Sequence, residues 1–342
     1  MNDIEIAQAV STILSKFTKA TPDEAPATSE AARVDGLDEI VAKALAQHSS
    51  VRDASAISQV AKVANASTGA FDTMDEAISA AVLAQVQYRH CSMQDRASFI
   101  NGIRDVFLQE DVLCALSRMA VEETGMGNYE DKLIKNRVAA LKTPGIEDLT
   151  TSAVSGDGGL TLIEYSAFGV IGSITPTTNP TETIINNSIG MLAAGNTVVF
   201  SPQPRSRKVS LYAVELINNK LAQLGAPANM VVTVTKPSID NTNVLINDPR
   251  INMLVATGGP AIVKTVMSSG KKAIGAGAGN PPAVVDETAD IEKAARDIIK
   301  GCSFDNNLPC VAEKEVIVVN QVADYLIHCM KKSGAYLLCD KK

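Results

Sequence analysis

The chain has 342 residues, a formal net charge of −7 and 46% hydrophobic residues, enough for one large or two medium domains with a sizeable core. The acidic balance without a basic cluster argues against a nucleic-acid partner, and no apolar run approaches the roughly 20 residues of a transmembrane helix. Six scattered cysteines without CxxC spacing indicate cytosolic free thiols, and three distant histidines form no metal motif.

The first 17 residues carry apolar side chains at helical spacing, which predicts an amphipathic helix. These are Ile4, Ala7, Val10, Leu14 and Phe17. The stretch lacks the basic start and continuous apolar core of a secretory signal. Residues 18–70 are interpreted as a linker with a second short amphipathic helix at 37–45. A short helix on a linker either docks into a partner groove or packs on its own chain or a neighbouring subunit, and the pattern leaves both open.

The next part of the chain is predicted to be helical. From Phe71 to about Arg137 apolar residues recur at helical spacing, and Gly125-Met126-Gly127-Asn128 interrupts them. Farther on, Gly156-Asp157-Gly158-Gly159 predicts a hairpin turn that leads into a strand over Leu160 to Tyr165.

Strands and helices then alternate. The predicted strands are Gly169–Thr175, Thr197–Ser201, Met230–Thr235, Met253–Thr257, Lys272–Gly275, Ala283–Asp286 and Glu315–Val319. The predicted helices are Glu182–Ala194, Ser206–Leu224, Pro260–Ser269, Ile291–Cys302 and Val322–Ser333. This order predicts an α/β fold with a doubly wound, mostly parallel sheet. Since ligands of such sheets bind outside the carboxyl ends of the strands, the turns there are the expected wall of a site.

Several residues near those turns have two interpretations each. Cys310 is either a core filler or a nucleophile. Asn179, in a turn flanked by prolines, serves either the turn itself or a site. Thr257-Gly258-Gly259-Pro260 ends a strand and opens a helix, which suits either a phosphate or an ordinary helix start. The glycine-rich run from Gly275 to Gly279 is either a ligand contact or a tight turn. Residue types alone leave these alternatives open.

Together these segments resemble the aldehyde dehydrogenase superfamily. The resemblance is strongest to the CoA-acylating propionaldehyde and acetaldehyde dehydrogenases of bacterial microcompartments, which act in the utilisation of propanediol and ethanolamine. It covers roughly Phe71 to Val319. The stretches that carry it are residues 125–132 (GMGNYEDK), 168–173 (FGVIGS), 178–188 (TNPTETIINNS), 191–196 (MLAAGN), 256–260 (ATGGP), 275–282 (GAGAGNPP) and 307–310 (NLPC).

The resemblance implies a Rossmann-like NAD(H)-binding domain over residues 71–275 and an incomplete catalytic domain over 276–342. It also implies roles. Cys310 matches the nucleophile that attacks the aldehyde carbonyl, and Asn179 matches the asparagine that stabilises the oxyanion. The implied cofactor wall consists of Pro176, Thr177, Ser201, Thr257, Gly258, Gly259, Gly275, Ala276 and Gly277. The turn at residues 201–204 contains no clear 2′-phosphate site, although the choice between NAD and NADP stays open.

One position bears on the acyl acceptor. Hydrolytic members of the superfamily carry a glutamate that activates water, and alignment on their Glu-Leu-Gly-Gly motif puts Ala276 there. Without that base, water should attack a thioester slowly, whereas a thiol needs no strong base. The resemblance therefore implies acyl transfer from Cys310 to coenzyme A. Which short aldehyde is used stays open.

The resemblance also implies partners and a location. Residues 1–17 resemble an encapsulation peptide that docks on microcompartment shell proteins, which implies the lumen of a microcompartment, and the full-length enzymes are expected to form homo-oligomers. Those enzymes continue far beyond their cysteine, so the sequence is expected to be a fragment in which the strand at 316–319 keeps an open edge. Two alternatives remain: a non-catalytic cargo or docking fragment, and a hydrolytic dehydrogenase, which Ala276 disfavours.

Overall fold

The computed structural model describes residues 68–277 and 279–338. In this part a six-stranded sheet has the order β1-β6-β5-β4-β7-β8, and every neighbouring pair is parallel. Its strands are β1 (Ala70–Phe71), β4 (Val170–Thr175), β5 (Thr197–Pro202), β6 (Val231–Val234), β7 (Met253–Thr257) and β8 (Lys272–Ala276). The predicted α/β class with a mostly parallel sheet is confirmed.

Helices cover both faces of this sheet. They are α1 (Met74–Tyr88), α2 (Met93–Phe107), α3 (Glu110–Thr124), α4 (Tyr129–Lys142), α5 (Pro180–Ala193), α6 (Arg207–Gln223), α7 (Ile239–Asn247) and α8 (Pro260–Met267). Two apolar clusters result, because successive strand residues point to opposite faces. On β5, Val198 and Phe200 join the cluster with α2, α5 and α6, whereas Val199 joins the one with α1 and α7. Burial on both faces explains why β4, β5 and β6 are continuous, mostly apolar runs.

The strand order places a switch point beside β4. The chain runs outward from β4 through β5 to β6 and then returns to β7 on the other side of β4. The connections above β4 and β7 therefore diverge, which opens a crevice at the carboxyl ends of the strands.

A second, smaller sheet follows. Strand β9 (Pro282–Val285) pairs in parallel with β10 (Glu315–Val318), and helices α9 (Ile291–Ser303) and α10 (Asn320–Lys332) form a third apolar cluster with them. Within the described residues β10 pairs with β9 alone, in line with the expected open edge. The hairpin of β2 (Ser152–Gly156) and β3 (Gly159–Ile163) turns at Asp157-Gly158, as predicted.

Strand β1 and helix α7 were missed from the sequence. Strand β1 has two residues, too few for any periodicity, and helix α7 is preceded by a Ser238 N-cap that accepts a hydrogen bond from the backbone N–H of Asn241 at 3.1 Å. That N-cap is a recognisable helix start. The predicted helices at 1–17 and 37–45 lie outside the described residues. In the part of the chain that the structure covers, no helix is long and apolar enough to cross a bilayer.

Candidate active site

A cavity of about 680 Å³ opens at the carboxyl ends of the central strands. Residues at the ends of β4, β5, β7 and β8 line it, and the loop that carries Cys310 closes another side. The cavity lies at the switch point of the sheet, where doubly wound folds bind ligands. Of the predicted site residues, it is lined by Cys310, Asn179, Pro176, Thr177, Ser201, Thr257, Gly258, Gly259, Ala276 and Gly277.

Cys310 is exposed in this cavity, so it is not a core filler. The loop before it contains three consecutive left-handed residues, Asp305 (φ 46°), Asn306 (φ 54°) and Asn307 (φ 61°). Such a run is uncommon outside glycine, and Asn and Asp tolerate it best. The Asn307 amide supports the loop by donating to the carbonyls of Cys302 at 2.7 Å and Glu313 at 3.0 Å.

The carbonyl of Cys310 fits closely against the glycine-rich turn. A Cβ atom on Gly279 would lie 2.8 Å from the Cys310 carbonyl oxygen, so a glycine is required there for the two segments to meet. Cys302, by contrast, lies on α9 outside the cavity lining, and its thiol donates to the Ile299 carbonyl at 3.4 Å.

Asn179 stands at the start of α5, where Pro180 is the first helical residue. Its side chain does not cap the helix; instead its carbonyl oxygen accepts from the Lys135 ammonium, and its nitrogen lies 3.3 Å from the Thr178 hydroxyl. The side chain is therefore free of the turn role considered from the sequence, and it faces the cavity that holds Cys310.

Four charged side chains beside Asn179 form what we call the lysine–carboxylate cluster: Lys132, Lys135, Glu182 and Asp305. Lys132 donates to the Thr178 carbonyl at 2.6 Å and lies 3.1 Å from the Asp305 carboxylate. Lys135 contacts the same carboxylate and lies 3.2 Å from that of Glu182. The side chains of Lys132 and Asp305 are both 0% exposed. The cluster joins α4, α5 and the loop of Cys310.

Burial and pairing act in opposite directions on the two lysines. Burial lowers the pKa of Lys132, although the Glu182 carboxylate partly opposes it. Burial also acts to lower the pKa of Lys135, but the Glu182 and Asp305 carboxylates outweigh it and raise that pKa. Two ammonium groups and two carboxylates balance formally, which is the usual condition for burying charge.

The opposite wall is built from the turn after β7. Gly258 has φ 149°, and its N–H donates to the Ala276 carbonyl at 3.2 Å. Helix α8 begins at Pro260 with Gly259 as its N-cap, so the helix N-terminus faces the cavity. The Thr257 hydroxyl is buried and has no hydrogen-bond partner among the described residues. The backbone N–H groups at the N-terminus of α8, together with the unpaired Thr257 hydroxyl, could donate hydrogen bonds to a phosphate group.

Ser201 and Pro176 lie on the third side of the cavity. The Ser201 hydroxyl is paired at 2.8 Å with Thr242 of α7, the helix that was missed from the sequence. Further lining residues that sequence reasoning missed are Met126, Gln203, Ser238, Ile239, Asn243 and Lys314.

Gly275 and Ala276 end the same strand but differ in role. Ala276 lines the cavity. Gly275 does not, because its Cα faces α8, where an added Cβ would lie 2.7 Å from Val263. Its glycine is explained by strand–helix packing.

The cavity lining has few charged groups. Among the described residues that line it, none is an aspartate, glutamate or histidine, and Lys314 is the one charged side chain. At the position of Ala276 the wall thus offers a methyl group. The described lining residues include a nucleophile and hydrogen-bond donors but no side chain suited to deprotonate water.

The family model that describes the aldehyde dehydrogenase family matches residues 41–337. The chain belongs to the aldehyde dehydrogenase family. Among curated aldehyde dehydrogenases it is 53% identical over 270 residues to a propanal dehydrogenase (CoA-propanoylating) of Salmonella typhimurium, a match that covers 79% of this chain and 58% of the relative. The chain thus spans somewhat over half the length of this relative.

Solved structures of aldehyde dehydrogenases share the fold. A propionaldehyde dehydrogenase of Rhodopseudomonas palustris, with bound CoA and an acylated cysteine, is 73% identical with a TM-score of 0.78, over 80% of this chain and 62% of that one. A propionaldehyde dehydrogenase from the fucose utilisation microcompartment of Clostridium phytofermentans is 54% identical, with a TM-score of 0.74. That match covers 77% of this chain and 60% of the other.

Proposed function

We propose that this protein oxidises a short-chain aldehyde, propionaldehyde or acetaldehyde, and transfers the acyl group to coenzyme A with NAD+ as oxidant. The observation that carries the proposal is that an exposed Cys310 and Asn179 line the same cavity, whose described lining has no carboxylate or imidazole. The similarity to CoA-acylating dehydrogenases supports the same activity.

In the first step the Cys310 thiolate attacks the aldehyde carbonyl, and an S–C bond forms as the carbonyl π electrons move to oxygen. The Asn179 amide N–H and the Cys310 backbone N–H stabilise that oxyanion. When bound, NAD+ supplies the acceptor for the hydride that leaves the former aldehyde carbon. Loss of the hydride re-forms the C=O bond and leaves a thioester on Cys310.

The nucleotide fits the wall formed by Thr257, Gly258 and Gly259. The N-terminus of α8 and the unpaired Thr257 hydroxyl offer donors to a pyrophosphate. Pro176, Thr177 and Ser201 offer an apolar and hydroxyl-bearing wall to the adenosine.

In the second step the CoA thiolate attacks the thioester, the new S–C bond forms, and Cys310 leaves as a thiolate. Exchange between thioesters is nearly isoenergetic and needs no strong base if the incoming sulfur is ionised. Water lacks such help in this cavity, because Ala276 and the other described lining residues offer no general base.

The proposal includes a location. The similarity to an enzyme of a fucose utilisation microcompartment supports a place in a microcompartment lumen. We propose that residues 1–17 bind the shell proteins and that the assembled enzyme is a homo-oligomer. Deletion of residues 1–17 should abolish co-purification with shells, whereas retention would contradict this part.

The test of the activity follows NADH formation by the purified protein with propionaldehyde and NAD+, with and without CoA. We expect sustained NADH formation only with CoA, acyl-CoA as product, and loss of both in Cys310→Ser. Cys302→Ser is the matched control, because that thiol lies outside the cavity, and it should keep the activity. Equal rates without CoA would contradict the acylating step, and no NADH under either condition would contradict the dehydrogenase itself.

A further inference from the structure

The Asn179 amide is held by a lysine rather than by its own turn. The Lys135 ammonium donates to Asn179 Oδ1 and also contacts the Asp305 carboxylate. Lys135 is 10% exposed and Asp305 is 0% exposed, so the contacts are shielded from solvent. In such surroundings a hydrogen bond to a charged group is stronger than an ordinary one.

An ammonium fixes which way an amide faces. Lysine has three donors and no acceptor, so it can only bind the oxygen end of an asparagine side chain. With Oδ1 turned to Lys135, the NH2 group of Asn179 is left for the Thr178 hydroxyl at 3.3 Å and for the cavity. The reverse rotamer would place two N–H donors against an ammonium and would be repelled.

The backbone of the same segment is fixed from the same helix. Lys132 Nζ donates to the Thr178 carbonyl at 2.6 Å, one residue before Asn179. The two lysines, three residues apart on α4, lie on one face of the helix. One helix face thus holds both the main chain and the side chain at the oxyanion position.

We propose that Lys135 is a positioning residue, which orients the Asn179 amide so that its NH2 group meets the oxyanion formed at Cys310. The inference rests on the proposed function. Asp305 holds Lys135 in place and lies five residues before Cys310 in the same loop. The lysine–carboxylate cluster therefore fixes the oxyanion donor, Asn179, relative to the loop that carries the nucleophile, Cys310. The raised pKa of Lys135, in which the two carboxylates outweigh burial, agrees with a lysine that stays charged.

Two reactions of the same thiol separate this role from simple stability. Acylation of Cys310 by p-nitrophenyl acetate passes through an oxyanion, releases one p-nitrophenolate per chain and needs neither aldehyde, NAD+ nor CoA. Alkylation by iodoacetamide displaces iodide from the same sulfur without an oxyanion. The ratio of the two rates therefore reports the oxyanion donor alone. Both rates are measured on the full-length chain, with Cys310→Ser as the blank.

In Lys135→Met we expect the acylation rate to fall about 100-fold, as for loss of one oxyanion donor, with the alkylation rate unchanged. Asn179→Ala should show the same pattern, and the double variant should be no slower than Asn179→Ala, because the two residues act as one unit. Lys142→Met, an exposed lysine on the same helix, is the matched control and should leave both rates unchanged.

A second variant covers loss of folding. Lys135→Met with Glu182→Gln removes one charge of each sign and leaves Lys132 paired with Asp305. If this double variant recovers the melting temperature of the wild type while its acylation stays slow, Lys135 acts through the Asn179 amide. The inference is overturned if the double variant recovers both the acylation rate and the melting temperature of the wild type. It is also overturned if Lys135→Met lowers the acylation and alkylation rates equally, or changes neither. A wild-type chain that is acylated at Cys310 but forms no NADH from aldehyde would refute the proposed function and leave this inference intact.

Discussion

Substitution of Asp305 by asparagine tests the lysine–carboxylate cluster most severely. The Asp305 carboxylate is fully buried, lies 3.1 Å from Lys132, contacts Lys135 and accepts a 3.1 Å hydrogen bond from the Asn128 N–H. An asparagine keeps the shape and can still accept that last bond. Among the described residues it leaves the Glu182 carboxylate as the one counter-charge paired with the two buried ammonium groups. Removal of one partner from a buried pair costs about 3–5 kcal/mol, and we expect a loss in that range.

The assay is urea unfolding followed by circular dichroism, with Glu110→Gln as control. Glu110 pairs with Arg137 at 2.8 Å on the surface, with side chains 66% and 43% exposed. Loss of such a pair should cost at most about 1 kcal/mol. If Asp305→Asn lost no more than Glu110→Gln, the cluster would not be the buried, paired arrangement described above.

Three further predictions follow from single positions. Gly127 has φ 76°, and an added Cβ would lie 2.0 Å from Asp305 Oδ1. Gly125 has φ 66° but open space around it, so Gly125→Ala should lower the free energy of unfolding in urea by about 1–2 kcal/mol. Gly127→Ala should lower it clearly more, because the clash adds to the backbone strain. Ala276→Glu should speed hydrolysis of the acylated enzyme at least about tenfold in the absence of CoA by supplying a base, and an unchanged rate would mean that water is excluded in another way. Hydrogen bonds from Arg104 lower the pKa of Glu147 to about 2. The small contribution of this carboxylate to stability should therefore be complete above about pH 4.5 and vanish as the pH falls towards 2. Glu147→Gln should flatten the dependence of the free energy of unfolding on pH in that range, and an unaltered dependence would contradict the pairing.

Much of the fold could be predicted from the sequence. Strands β4, β5 and β6 are buried at every residue, so they appear in the sequence as short, mostly apolar runs between turns. Strand β7 was predicted to the residue. The turns after those strands were expected to form the site wall, and most of them do. The resemblance added the role of Cys310, for which residue type alone left both interpretations open.

The lysine–carboxylate cluster could not be predicted in this way. Its members come from α4, α5 and the loop of Cys310, and Lys132 and Asp305 are far apart in the sequence. Lysines are almost always exposed in folded proteins, so their residue type does not predict that two of them are buried. Their spacing of three on one helix was the available signal, but it equally suits a solvated face. The resemblance implied that Gly275 belongs to the cofactor wall, whereas its position is explained by close packing against Val263.

The most direct test of the central claim follows the acyl group itself. The protein is mixed with propionaldehyde and NAD+ without CoA, quenched, digested and mapped by mass spectrometry, and a second sample receives CoA before the quench. The account predicts one propionyl group on the Cys310 peptide in the first sample, and its loss with stoichiometric propionyl-CoA in the second. A propionyl group on another cysteine, or a Cys310 thioester that water removes as fast as CoA does, would contradict it.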